Sequence, residues 1–463
     1  MTFRIPHTGT RRPAVLLRIR HAGNCIPTLV LLAALLASAA SARQSGPGAL
    51  FEQPFEAPGA GEAVAVVHAS AAGSNWGAAG REAAAVRILI DGKYSQHLLL
   101  ARGADDGEYP ITLGAVPKGS HRFSVEADSA LSAPGAGRPM VSRVEITVTP
   151  VHDEASFAQS LAPIVYARPN TVGHFTDLPI LMWYEVVPTP RGKQFRYSVI
   201  FTNEDGGTAT DRLMATWGRT TDIEYVYGAE VNAEGRIIAE EFQGPGHEVP
   251  GFHGRHEAGH PLMWVSTDNN MVSESGPTTI RYAPAPERFD LTNASREVVM
   301  DRHPWAYTLA AEEMTREGKI DEQAAAGSGR IPDARRFVYV EACTELASAA
   351  VAFSVRAAGA DGPRWFDSDR GRPEFRIVRT GCFRGAVPLP AGAGRPDAIR
   401  FRAYALPPRD GSPPPPPGSV RLVRVNKVFT VDDRYQPDAS LFSWTGEVSL
   451  PVGGDWHELR FQP

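Results

Sequence analysis

From about residue 61 to the end of the chain, apolar positions recur in short runs. Some alternate with polar residues and some stay continuous, and turn residues separate them. This pattern predicts strands, because successive side chains of an extended chain point to opposite faces. Between 61 and 150 the runs are "AVAVVHAS", "AAVRILI", "QHLLLA", "HRFSVEAD" and "SRVEITVTP", with Asp91-Gly92 as a tight-turn signal. They predict a small Ig-like β-sandwich without a catalytic constellation. A second unit, 151–330, opens on the helical stretch "EASFAQSLAPIVYAR" and continues through strands such as "PILMWYEVV", "FRYSVIFTN" and "DIEYVYGAEV". It closes on the helical "HPWAYTLAAEEMTREG", where Pro304 suits a first turn. The third unit, 335–463, is again a series of strands, with an exposed polyproline loop at Gly411–Ser419. Residues 43–60 and "DEQAAAGSGRIPDARR" read as linkers. The predicted fold class is mainly β, a multi-domain β-sandwich protein whose central sandwich carries a few helical segments.

The N-terminus adds a targeting signal. Arg4, Arg11, Arg12, Arg18 and Arg20 precede the apolar stretch "TLVLLAALLASAASA", and Ala40-Ser41-Ala42 forms an A-x-A cleavage site. Residues 1–42 thus read as a signal peptide, too short in its apolar part for a membrane anchor. The expected location is secreted or periplasmic, with no integral span after cleavage. Beyond residue 42 there remain 42 basic residues against 52 acidic, a net charge of −10. That balance argues against nucleic acid as a partner. Cys343 and Cys382 follow the signal. They can pair in an oxidising compartment or stay as separate buried thiols, and the sequence leaves both open.

Two stretches carry candidate chemistry. In "HGRHEAGHP", residues His256-Glu257-Ala258-Gly259-His260 match the H-E-x-x-H zinc-protease pattern. There two histidines one helical turn apart hold the metal and the glutamate acts on its water. The flanks oppose a helix: Pro250-Gly251 and Gly254 precede the motif, Gly259 lies inside it, Pro261 follows, and "PLMWVS" reads as a strand. A third ligand would come from Glu274, Glu287 or Glu297, and none stands out. The zinc hydrolase, with His256 and His260 as ligands and Glu257 as catalytic base, is therefore the alternative reading. The second stretch runs from Phe195 to Val231. In "DIEYVY", Asp222 and Glu224 fall on one strand face, with Ile223, Tyr225 and Tyr227 expected on the other, in the core. Asn203-Glu204-Asp205-Gly206-Gly207 adds two carboxylates at a turn, and Arg219 lies close by. Converging carboxylates and turn carbonyls suit a hard divalent cation, calcium or magnesium. Acids on the solvent face of an antiparallel strand are equally ordinary.

The run "GRTTDIEYVYGAEVNAEGRI", the later "GHPLMWVSTDNNMVSESG" and "LAPIVYARPN" (Leu161–Asn170) together resemble the vacuolar protein sorting-associated protein 62-like family. The same strand is similar to that of the necrosis- and ethylene-inducing peptide (NLP) toxins, whose Asp-Trp-Glu carboxylates help bind a divalent cation on a β-sandwich. The resemblance spans about 155–280. It matches Asp222 and Glu224 to the two carboxylates and His260-Pro261 to the start of the later strand. The chain departs from it at Ile223, where those families have Trp, and at Arg219, where the toxins have His. It implies that Glu257 to His260 belong to a turn, and it leaves open whether His247, His253, His256 and His260 approach the acids.

The expected function is an exported ligand-binding or surface protein, with a cation site formed by Asp222, Glu224, Glu204 and Asp205. The ligand would be an extracellular or cell-envelope molecule, a glycan among the classes. A carbohydrate-active enzyme is a further alternative, since paired acids serve glycoside chemistry and Trp183, Trp217, Trp264 and Tyr225 would suit sugar stacking.

Overall fold

The alternating runs form strands, and the strands assemble into three two-layer sandwiches. The structure, a computed structural model, describes residues 48–204, 206–359, 362–406 and 418–461. The expected signal peptide, Asp205 and the proline run of the 411–419 loop lie outside the described residues.

In the first sandwich, one sheet has the order 49–57, 119–128, 84–90, 93–100, and the other 107–116, 61–71, 139–149, all antiparallel. Ala-, Val- and Ile-rich inner faces, such as Ala65, Val67, Val86 and Ile88, close on Phe123. Strand Ala49–Ala57 corrects the linker expected at 43–60. Its proline, Pro54, gives it the look of an unstructured segment. The strand lies at a sheet edge, where a missing N–H is tolerated, and Phe51 and Phe55 pack on the core.

The central sandwich has a five-stranded sheet in the order 237–241, 222–232, 192–201, 179–189, 286–288. A second sheet of short strands lies against it: 256–257, 260–265, 164–166 and 281–282, with 272–273 beside 260–265. Among the described residues four α-helices accompany it: α1 (Glu154–Ser160), α2 (Thr210–Trp217), α3 (Val298–Arg302) and α4 (Trp305–Arg316). Helix α1 starts on a capping box in which Asp153 and Ser156 bond each other's backbone. Helix α2 stops at Gly218, in the left-handed region (φ 60°), where a Cβ would come within 2.9 Å of Arg384.

The third sandwich pairs the sheet 381–388, 337–347, 419–429, 442–450 with the sheet 362–367, 349–359, 396–405, 457–460. Cys343 and Cys382 face each other across adjacent strands and form a disulfide. The stretch expected as a linker before it is anchored, with Ile331 buried and the Gly327 N–H bonded to Asp211 at 2.6 Å.

The sandwiches pack tightly on one another. Residues 110–112 of an edge strand in the first sandwich exchange backbone bonds with 283–285 of the central one, at 2.8 and 3.0 Å. That contact covers an edge which would otherwise remain open to pairing. Between the central and third sandwiches, α3 and α4 fill the space with Met300, Tyr307 and Met314 against Ile223, Tyr339 and Phe429. Within this layer Arg384 is fully buried and pairs with Asp301 and Glu341. Both faces of the central five-stranded sheet are therefore inside the protein.

Candidate functional site

The H-E-x-x-H residues lie on a hairpin. His256–Glu257 and His260–Val265 are paired strands, and the two residues between them, Ala258 (φ 52°) and Gly259 (φ 98°), take the left-handed turn. This arrangement overturns the geometry of the zinc reading. On a helix the two histidines would share a face; here each motif residue goes to a different partner. His256 is half-exposed and bonds Glu240 at 2.8 Å. Glu257 grips Arg281 with both oxygens, at 2.6 and 3.0 Å. His260 is buried between Ala162 O (2.8 Å from Nδ1) and Glu62 of the first sandwich (3.0 Å from Nε2). The residues considered as third ligand are also engaged elsewhere: Glu274 with the His253 N–H, Glu287 with Arg302 and His303, and Glu297 with Arg219. Among the described residues, none of the four loop histidines has a hydrogen bond to Asp222 or Glu224.

The acidic stretch folds into the interior. Strand Asp222–Asn232 pairs with Gly192–Phe201 in a register that sets Asp222 opposite Phe201 and Glu224 opposite Val199. Phe201 and Val199 belong to the core between the two central sheets, so the carboxylates enter that core from its end. A bulge at Val226 then shifts the register, and Tyr227 lies opposite Tyr197 on the same face as the acids. This corrects the expectation that Tyr227 would share a face with Ile223 and Tyr225. The solvent-face reading is corrected as well: Asp222 is 2 % exposed and Glu224 8 %. Glu204 joins them at 9 %, held by its own turn, in which the Thr208 N–H donates to its carboxylate at 2.9 Å.

Positive charge at this cluster is scarce. Arg219 lies 3.9 Å from Asp222, but its Nε is given to Glu297 at 3.2 Å. Arg296 also favours the ionised form of both acids, and for Glu224 it does so more than Arg219. Gln243 donates to Glu224, and the Ile223 N–H to Asp222 at 2.8 Å. These contacts do not offset desolvation. Burial, with Asp222 alongside, pushes Glu224 up to about 8 and Glu204 up to about 7. Asp222 is also raised by burial, against the pull of Arg219 and Asn270.

Asn270 completes the site. It is fully buried in a left-handed conformation (φ 56°) on the loop that closes over the acids. Its Nδ2 stands where three oxygens converge: Asp222 Oδ2 and Asn203 O, each at 3.0 Å, and Asp177 Oδ1 at 3.5 Å. Its own Oδ1 has no hydrogen-bond partner among the described residues. Asp177, also left-handed (φ 52°), is paired with buried Arg168, which also bonds Asp268. Strained backbone thus gathers at the oxygen-rich end of the sandwich. Sequence reasoning misses Arg168, Asp177 and Asn270. They are polar residues in loops, with no spacing to mark them.

Among the described residues no three His, Cys, Asp or Glu side chains stand close enough together to enclose a metal ion as placed. A cation here would draw on the Asp222 and Glu224 carboxylates and on neutral oxygens of Asn203 and Asn270. Of the aromatics considered for sugar stacking, Trp183, Trp264 and Tyr225 are buried, and Trp217 lies under Arg379.

No family model and no curated protein matches the chain. One solved structure, described as "EclA C-terminal domain; sugar-binding protein", is 18 % identical over 22 % of this chain and 67 % of that one, with a TM-score of 0.17. A likeness of that size carries no argument about fold or ligand. Among the described residues no helix is long and apolar enough to cross a membrane.

Proposed function

We propose that the protein is an exported ligand-binding protein whose central sandwich takes a divalent cation, calcium or magnesium, at Asp222 and Glu224. The observation that carries this reading is the imbalance of charge in the sandwich interior. Three carboxylates are buried, Arg219 is shared with Glu297, Arg296 adds to it without offsetting burial, and next to them an amide oxygen has no partner among the described residues. Buried like charges either hold protons or recruit a cation. At neutral pH the protons can be displaced, because Glu224 and Glu204 release them near 8 and 7. The cation would supply positive charge that fixes the closing loop over the acids. The chain's own part is to orient Asp222 through Asn270 and Glu224 through Gln243.

The same placement supports kinship with the vacuolar protein sorting-associated protein 62-like and NLP families through Asp222 and Glu224. Export rests on the N-terminal signal, and the ligand we infer is an extracellular or cell-envelope molecule, with a glycan as the first class to screen. The zinc hydrolase is not carried forward, because the hairpin separates the three groups it needs.

The test is thermal unfolding of the chain from Arg43 in calcium, magnesium or EDTA. Calcium or magnesium should raise the midpoint of the wild type and leave an Asp222→Asn/Glu224→Gln variant unmoved. Equal responses in both proteins, or none in either, would remove the proposal.

A further inference from the structure

The first and central sandwiches line a partly open pocket of about 70 Å³ that is separate from the acidic cluster and the hairpin. Its walls come from Trp76, residues 96–99, Ala101 and 108–111 of the first sandwich, 178–181 and 282–284 of the central one, and His303 and Trp305 at the start of α4. We propose that this pocket is a binding site for a small apolar ligand, a compact hydrocarbon group no larger than a single six-membered ring.

The class follows from what the walls offer. Gln96 gives Nε2 to the Thr112 carbonyl at 2.6 Å and accepts the Ala283 N–H at 2.8 Å. Trp76 donates its ring N–H to Glu313 at 3.0 Å, away from the cavity's apolar lining. The Tyr109 hydroxyl accepts the Arg102 N–H at 3.2 Å. Both ring nitrogens of His97 are engaged, with Tyr94 at 2.6 Å and Asp128 at 3.2 Å. His303 Nε2 is taken by Glu287 at 2.8 Å. These side chains spend the hydrogen bonds named here on the protein, Glu108 borders the pocket as an exposed carboxylate, and carbon from Leu98, Leu181, Tyr282 and Trp305 makes up much of the remaining wall. Away from Glu108 a hydroxylated ligand would give up its bonds to water and gain none, so the inner part of the pocket disfavours a sugar. An apolar group gains from leaving water.

Size sets the other limit. A dry cavity of roughly 150 Å³ takes benzene. The inner space of this pocket is about half as large but open on one side, so it takes a branched alkyl group whole, or a single ring seated partly in the mouth beside the partly exposed Ile180 and Trp305. Small residues keep it open: Ala101 and Ala283 both line it and both are buried. A longer side chain at either position would occupy the space.

The test uses the chain from Arg43, with xenon and benzene as probes and glucose as the polar control. Xenon-pressurised crystals of the wild type should show an atom in the cavity. Benzene should raise the unfolding midpoint saturably and glucose should not. Ala101→Leu should abolish both responses, and Ala283→Val serves the comparison if the first variant does not fold. No xenon and no benzene shift in the wild type would overturn the proposal. So would an undiminished response in the filled variant, or a glucose shift that the filling removes.

Discussion

Replacing Glu224 by Gln should change how stability depends on pH, and the sign follows from burial. The Glu224 carboxyl is held at about 8 in the folded chain, against an ordinary 4.5. The folded state therefore binds this proton more tightly than the unfolded state does. Its stabilising effect is complete below pH 4.5 and disappears as pH rises through 8. A tenfold change in proton affinity is worth about 1.4 kcal/mol, so the folded state loses on the order of 3 to 5 kcal/mol across that window. Gln keeps an oxygen for the Gln243 amide and has no proton to lose. Urea denaturation followed by tryptophan fluorescence, at intervals from pH 5 to 9, reads this directly. The wild type should lose stability toward pH 9 and Glu224→Gln should lose much less, so that the variant becomes the more stable protein at the alkaline end. A residual slope between pH 5 and 7 should persist, from Glu204, and level off above pH 7. Equal slopes in the two proteins would refute the argument that this carboxyl is buried without adequate countercharge.

Two further outcomes follow from the hairpin and the disulfide. His260→Ala should destabilise by about 3 to 5 kcal/mol, because it leaves Glu62 buried without its partner. His256→Ala, at a half-exposed pair, should stay within about 1 kcal/mol of wild type. Similar losses from both in denaturant titrations would restore a shared role for the two histidines. Replacing Cys343 and Cys382 by Ser opens a crosslink with a sequence separation of 39 and should lower stability by about 4 kcal/mol in the chain-entropy view. Unchanged denaturation midpoints would show that the pair is not crosslinked.

The mainly-β, multi-domain architecture is legible in the strand patterning alone. That the motif is a turn and not a helix is legible too, since Gly259 and Pro261 oppose a helix whatever the surrounding motif spells, but the short strand His256–Glu257 is not. What escapes is anything decided by packing. The bulge at Val226 leaves no mark in an alternating run, so alternation puts Tyr227 on the wrong face. An acid pair at i, i+2 looks the same on a solvent face as on an inner one. Only the second sheet and the 266–271 loop, brought in from distant sequence, bury it. Strand 49–57 resembles a linker because Pro54 hides its edge position. Asn270 and Asp177 matter through one shared convergence of oxygens that no local pattern contains.

Calorimetric titration of the metal-free chain with calcium at pH 7 decides whether this interior end of the sandwich takes a divalent cation. One site per chain is expected, with protons released into the buffer as Glu224 ionises on binding, and no binding to Asp222→Asn/Glu224→Gln. The absence of heat in the wild type under conditions where the folded state is intact, or calcium bound equally by the double variant, would contradict the cation site.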